Sequence, residues 1–180
     1  MKTLSLIIIL FFFSFPINAQ QIARSADDIL SDAYKEAAIN NKNVMVLFHA
    51  SWCGWCHKLD NSLNDSSCKK FFDDNYVIVH LTVAESDDNK PLENPGAVDI
   101  IRNFNAMDAG LPFWLILNKN GTLLANSRMR PKGATLDYPG DNMGCPATEQ
   151  QVTAFIKILK ETSHLTNSEL KIIATRFRKN

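Results

Sequence analysis

Hydrophobic positions follow three rhythms along this chain. The first is an almost unbroken apolar run from Leu4 to Phe15, preceded by Lys2 and followed by Pro16-Ile17-Asn18-Ala19. A basic start, an apolar stretch and a small residue at the end make the pattern of an export signal, cleaved here after Ala19. The run is shorter than the roughly 20 residues a bilayer-crossing helix needs, so a removable signal is expected rather than a membrane anchor.

The second rhythm is helical. Ser25-Ala26-Asp27-Asp28 reads as a helix start, and Ile29, Leu30, Ala33, Tyr34 and Ala37 make one apolar stripe before Asn40-Asn41-Lys42-Asn43 breaks it. Short helices are expected from about Asp65 to Asp73 and over Val98 to Phe104. Thr148-Glu149-Gln150-Gln151 is a capping box opening a helix with Val152, Phe155, Ile156 and Leu159 on one face. Thr166-Asn167-Ser168-Glu169 is a second, opening a last helix with Leu170, Ile173, Ala174 and Phe177.

The third rhythm is that of strands. Val44–Phe48 is a continuous apolar run, as expected of a strand buried on both faces. Tyr76–Val83 is rich in β-branched residues, Phe113–Leu117 is again apolar, and Asn118-Lys119-Asn120-Gly121 turns it into a returning strand from Thr122 to Ala125. Ala84–Ala97 reads as a polar loop, and Arg128–Pro146, rich in Pro and Gly, as a long surface excursion. Strands alternating with helices, closed by a hairpin, predict an α/β sandwich with a mixed sheet.

Composition narrows the class. The 180 residues suit one domain with a small elaboration, and 46% hydrophobic residues can build a core. Lys+Arg and Asp+Glu both number 19, so no footprint for nucleic acid or an anionic membrane is present. Loss of residues 1–19 removes one Lys and leaves 18 − 19 = −1. The expected organisation is a signal peptide over 1–19 and a single domain over 20–180, without a stable membrane span after cleavage. The four cysteines, Cys53, Cys56, Cys68 and Cys145, all lie in the exported part, where disulfides persist. They are too few for a disulfide-built scaffold.

Cys53 and Cys56 stand three apart, where the strand ending at Phe48 turns into a helix. That spacing brings two sulfurs within disulfide reach. A helix N-terminus favours thiolate at the first, so Cys53 is the candidate nucleophile and Cys56, one turn further in and expected to be more buried, the resolving thiol. A zinc half-site lacks a second pair of ligands at usual spacing. A structural disulfide would close a ring too small to staple much chain. Cys53-x-x-Cys56-His57 also fits covalent haem attachment, against which stand the buried strand before it and the absence of a larger haem-pocket pattern.

Trp52-Cys53-Gly54-Trp55-Cys56 after an apolar strand resembles the active-site segment of thioredoxins. Gly110-Leu111-Pro112-Phe113, then a strand and Asn118-Lys119-Asn120-Gly121, is similar to the segment carrying their cis-proline. The likeness covers roughly residues 25–160, with residues 166–179 as a C-terminal helical extension. Trp52–Leu59 and the tail from Gly144-Cys145-Pro146 look more like exported bacterial thioredoxin-like proteins than cytosolic thioredoxin. The resemblance implies a three-layer thioredoxin-like sandwich: a central mixed sheet flanked by helices, with an extra C-terminal helix. It implies a thiol–disulfide oxidoreductase, periplasmic or secreted, whose redox-active centre is Cys53 and Cys56. Trp52, Gly54, Trp55, Leu111 and Pro112 would support it, with Pro112 cis and the Leu111 backbone pairing with a substrate segment. Partners would be protein thiols or disulfides and a separate electron donor or acceptor protein; no cofactor and no metal are expected. Two departures bear on redox behaviour: Leu47 stands where thioredoxins carry a buried Asp, and Trp55 replaces the proline between the cysteines. The other reading is a thioredoxin-fold binding or assembly module whose cysteine pair acts as a redox switch.

Remaining candidates have plainer expectations. His49 reads as a satisfied strand-end histidine and His57 as solvent-exposed. Cys68 reads as a buried inert thiol, Cys145 as a thiol in an exposed turn, and the two as able to form a second disulfide. Glu85, Asp87 and Asp88 read as a solvated loop rather than a metal site.

Overall fold

The computed structural model of the chain describes residues 23–180. The signal peptide expected in residues 1–19 lies outside the described residues.

Local chemistry sets the elements close to where the pattern placed them, although the short helix expected from about Asp65 opens at Lys69 instead. Helix α1 (Ala26–Asn40) opens with the Ser25 hydroxyl accepting the Asp28 N–H at 3.1 Å and closes on Asn41, whose left-handed backbone returns an N–H to Ala37. Strand β1 (Asn43–His49) is buried at five successive residues, as a strand covered on both faces must be. Helices α2 (Gly54–Leu63) and α3 (Lys69–Asn75) follow, then strand β2 (Tyr76–Thr82). The expected loop after β2 contains a 3₁₀ helix, Asp87–Leu92, before α4 (Ala97–Asn103). In the hairpin of β3 (Phe113–Leu117) and β4 (Leu123–Asn126), the Asn118 carboxamide oxygen accepts the N–H groups of Asn120 and Thr122, both at 2.9 Å. Both capping boxes form, opening α5 (Glu149–Thr162) and α6 (Asn167–Phe177).

The sheet order is β2-β1-β3-β4, with β1 parallel to β2 and both other pairs antiparallel. Alternate residues of β1 point to opposite faces. Val44, Val46 and Phe48 meet α1 and α4 in one apolar cluster, while Met45 and Leu47 meet α2, α3, α5 and α6 in the other. The architecture is therefore the three-layer thioredoxin-like α/β sandwich. Its C-terminal helix packs into the second cluster, where Phe177 and Phe155 lie 4.8 Å apart between ring centroids. Among the described residues, no helix is long and apolar enough to cross a membrane.

The segment after β4 departs from the expected surface excursion. Asn126, Ser127, Arg128, Met143 and Cys145 are all buried, and exposure is concentrated at the tip, residues 131–139, with Asp141. The outgoing and returning legs pair: Met129 N–H donates to the Asp141 carbonyl and Met143 N–H to the Ser127 carbonyl, each at 2.8 Å. Pairing satisfies backbone groups that an open loop would leave to water, which lets the legs sink into the fold.

Candidate active site

Strand β1 delivers the chain to a tight turn in which the Cys53 N–H donates to the Ala50 carbonyl at 3.0 Å. Cys53 then caps α2. Its Sγ accepts the Cys56 N–H at 3.1 Å, and its carbonyl receives the N–H groups of Cys56 and His57. Unpaired amides and the positive end of a ten-residue helix favour negative charge on that sulfur. Cys53 and Cys56 are joined, with the sulfurs 2.03 Å apart. They are 4% and 2% exposed, so the marked difference in burial expected between them is absent.

Two indoles flank the pair. Trp52 is 62% exposed yet anchored, its Nε1–H donating to the Ala84 carbonyl at 2.9 Å. Trp55 is half-exposed, with the Lys58 ammonium 4.3 Å from its ring centroid, a cation–π contact. A Cβ built on Gly54 would meet nothing within 4 Å, so the chain between the two cysteines faces open space.

The Leu111–Pro112 peptide bond is cis. Leu111 packs against Ala50, Cys53 and Cys56, and strand pairing begins only at Phe113. Within the described residues the Leu111 N–H and carbonyl have no hydrogen-bond partner. Clefts open on both sides of this backbone. One of about 420 Å³ is lined by Trp52, Val83, Ile101, Met107 and Leu111; the other, of about 360 Å³, by Trp55, Pro112, Met143, Gly144 and Cys145. The structure thus brings all seven residues singled out from the sequence to one place: Trp52, Cys53, Gly54, Trp55, Cys56, Leu111 and Pro112.

Glu85 was missed. Expected in a solvated loop, it is 5% exposed, and its carboxylate accepts the Ser51 N–H at 2.5 Å and the Ser51 hydroxyl at 2.7 Å. Its own N–H donates to Glu93, which Lys90 also binds. Glu85 therefore fixes the turn immediately before Trp52 and Cys53. A lone Glu after a strand carries no periodic signal, and only the closure of β2 alongside β1 makes it internal.

The histidines divide as expected in part. His57 is exposed, but its Nε2 donates to the Ser51 carbonyl at 2.9 Å, bracing the same turn. His49 is half-buried, with Nε2 3.2 Å from the Thr82 hydroxyl and its ring edge-on to His80, which pairs with Asp60 on α2. Burial first, then His80, holds the His49 pKa below its ordinary value. Leu47 lies in the core with Leu59 of α2, so no carboxylate stands there.

Cys68 is buried, as expected, and its thiol donates to the Ser62 carbonyl. Cys145 is a correction: it is 5% exposed, accepts a hydrogen bond from the Asn180 carboxamide, and burial pushes its thiol up to about 11. Both are free thiols, so the second disulfide is absent. Among the described residues, no three His, Cys, Asp or Glu side chains gather in a way that could hold a metal ion.

A mixed sheet whose central strand runs into a Cys-x-x-Cys helix, facing a cis-proline turn, defines a redox protein of the thioredoxin-like class. The chain belongs to the thioredoxin-like family, whose pattern it matches over residues 26–119. Among solved structures, it is similar to a disulphide isomerase from Xylella fastidiosa Temecula1: 20% identity, 56% of this chain and 72% of that one, TM-score 0.47. A thioredoxin from Thermus thermophilus matches at 18% identity over 66% of this chain and 78% of its own, TM-score 0.40. The oxidised DsbD C-terminal domain of Neisseria meningitidis matches at 16% identity over 58% and 84%, TM-score 0.39. No curated protein matches the sequence significantly.

Proposed function

We propose that this chain is an exported thiol–disulfide oxidoreductase, periplasmic or secreted, that reduces or isomerises disulfides of client proteins through Cys53 and Cys56. The observation that carries the reading is the Cys53–Cys56 disulfide at the start of α2, packed against Leu111, whose backbone N–H and carbonyl are unpaired among the described residues. An extended client segment pairs with those two groups as an added strand would. Its apolar side chains enter the clefts beside Trp52 and Trp55.

The exchange runs from the dithiol. Cys53 thiolate attacks one client sulfur, forming a mixed disulfide and releasing the other client sulfur as thiolate, which takes a proton from solvent. Cys56, losing its proton, then attacks Cys53 Sγ. The second client thiolate leaves, and the Cys53–Cys56 disulfide forms. Two electrons pass to the client. A separate dithiol protein must return them for the next cycle, and run in reverse the same steps oxidise a client.

Reduction of insulin followed by turbidity tests the reading. Cys53→Ser is expected to abolish catalysis and to hold no client through a disulfide at position 53, whereas Cys56→Ser accumulates the mixed disulfide. An unchanged rate in Cys53→Ser defeats the proposal. A double cysteine variant that still binds clients as tightly as the native chain would favour the binding-module reading.

A further inference from the structure

Four backbone carbonyls of the loop leading to Pro112 are held by two side chains from the paired legs of the segment after β4. The Arg128 guanidinium donates to the Asn105 carbonyl at 2.9 Å and to the Asp108 carboxylate at 2.9 Å, while its other nitrogen donates to the Gly140 carbonyl on the opposite leg. The two N–H groups of the Asn142 carboxamide reach the carbonyls of Ala109 at 2.9 Å and Pro112 at 3.0 Å, with the Gly110 carbonyl at 3.3 Å sharing one of them. Its carboxamide oxygen accepts the Gly144 N–H at 3.0 Å, which fixes the plane of the amide. Arg128 and Asn142 face each other as a bridge between the two legs, so one rigid strut carries both.

The legs fit too closely to give way. A Cβ on Gly140 would lie 1.7 Å from the Met129 carbonyl oxygen, and one on Gly144 would lie 3.2 Å from the Pro112 carbonyl oxygen. The Trp114 indole N–H donates to the Gly144 carbonyl at 2.9 Å, tying the same strut to β3. On either side of Leu111 the carbonyls are thus occupied by the strut, while the N–H and carbonyl of Leu111 itself have no partner among the described residues, next to the disulfide its side chain packs against.

We propose that Asn142 is a positioning residue for client recognition. Resting on the oxidoreductase reading above, the inference is that Asn142, braced by Arg128, holds the Ala109–Pro112 backbone in the one shape that presents Leu111 to a client strand. Asn142 also lines the cleft beside Trp55, so loop hydrogen exchange is the readout that separates holding the backbone from touching a client. A client chain gains affinity from pairing with a preorganised backbone, and a loop that must first be ordered subtracts that ordering from the binding energy. A small disulfide, which pairs with no backbone, gains nothing from the strut.

The experiment compares Asn142→Ala with the native chain on three readouts: reduction of insulin, reduction of a small aromatic disulfide such as dithiobis(nitrobenzoate), and amide hydrogen exchange. Loss of one well-placed hydrogen-bonding group predicts a fall of about tenfold in kcat/KM on insulin, carried by KM. The rate on the small disulfide stays within about twofold, because exchange at the sulfurs is untouched. The amides of Ala109, which donates to the Ala106 carbonyl, and of Phe113 at the start of β3 exchange at least about tenfold faster, while those of α2 do not change. Equal losses on both disulfides, or unaltered loop exchange whatever the insulin kinetics, overturn the proposal. Should Asn142→Ala not fold, Arg128→Lys carries the same test, with the same split at smaller size. A native chain that reduces neither disulfide defeats the oxidoreductase reading instead, and loop exchange in the variant then decides the role of Asn142 alone.

Discussion

Cys53 caps a helix and Cys145 sits in a wall of side chains, and that difference decides which thiol can react. Negative charge on Cys53 Sγ is met by backbone amides of α2. At Cys145 burial is the largest influence, raising the pKa from 9.0 to about 11 against the smaller lowering by Lys58 and Arg176. At pH 8 roughly one such thiol in a thousand is ionised. Cys68 is raised in the same direction, again by burial first. The oxidised protein is therefore expected to take no iodoacetamide at pH 8 when folded and two equivalents once denatured, read by intact mass. One label on the folded chain would contradict the assignment. The sign for stability follows: a thiol that favours its protonated form when folded supports the fold fully below about pH 9, and that support is lost as pH climbs toward 11.

Helix α6 presents Leu170, Ile173, Ala174 and Phe177, all buried, to the cluster formed with α5 and α3. Phe177 lies 4.8 Å from Phe155 and 6.2 Å from Phe72 between ring centroids. Arg176 donates to Asp65 at 2.7 Å, tying α6 to the turn before α3. Phe177→Ala is expected to lower stability by about 3–5 kcal/mol, measured by denaturant melting. The Cys53–Cys56 reduction potential should not move, because the Phe177 ring packs on Phe155 and Phe72 and not on either sulfur. A loss below about 1 kcal/mol would mean that α6 merely leans on the domain. The element was legible in the sequence because its signals are local: a capping box and an apolar stripe within one short segment. Cys53 and Cys56 were legible for the same reason. Glu85 and Asn142 were not, since their partners lie 34 and 30 to 33 residues away, and one polar residue in a loop gives no sign of what closes over it. Cys145 was misplaced on the same account: Gly144-Cys145-Pro146 has the composition of an exposed turn, and the strut that buries it is a long-range product of folding.

At the scale of the whole molecule, the site sits where β1 ends, and the other end of the chain is tied down from Arg24 onward. The Arg24 carbonyl accepts the Asn94 carboxamide at 2.8 Å, its guanidinium pairs with Asp32, and Ala26 N–H donates to the Pro95 carbonyl. A cut after Ala19 would remove none of these contacts, so the expected processing is compatible with the fold. It also sets the conditions in which the redox pair would work, because an oxidising compartment keeps Cys53 and Cys56 joined until a dithiol partner reduces them. The signal peptide remains our expectation from sequence, and it has a direct test. Expressed with its own N-terminus in a bacterial host, the protein should appear in the extracytoplasmic fraction with Gln20 as its first residue, read by N-terminal sequencing. Ala19→Phe places a bulky side chain where the signal pattern calls for a small one, and should leave the uncleaved chain at the membrane. Recovery of the native chain from the cytosol with residues 1–19 intact would remove the export claim. The disulfide chemistry at Cys53 and Cys56 would then have to be reconsidered for a reducing compartment, where the same pair would rest as the dithiol.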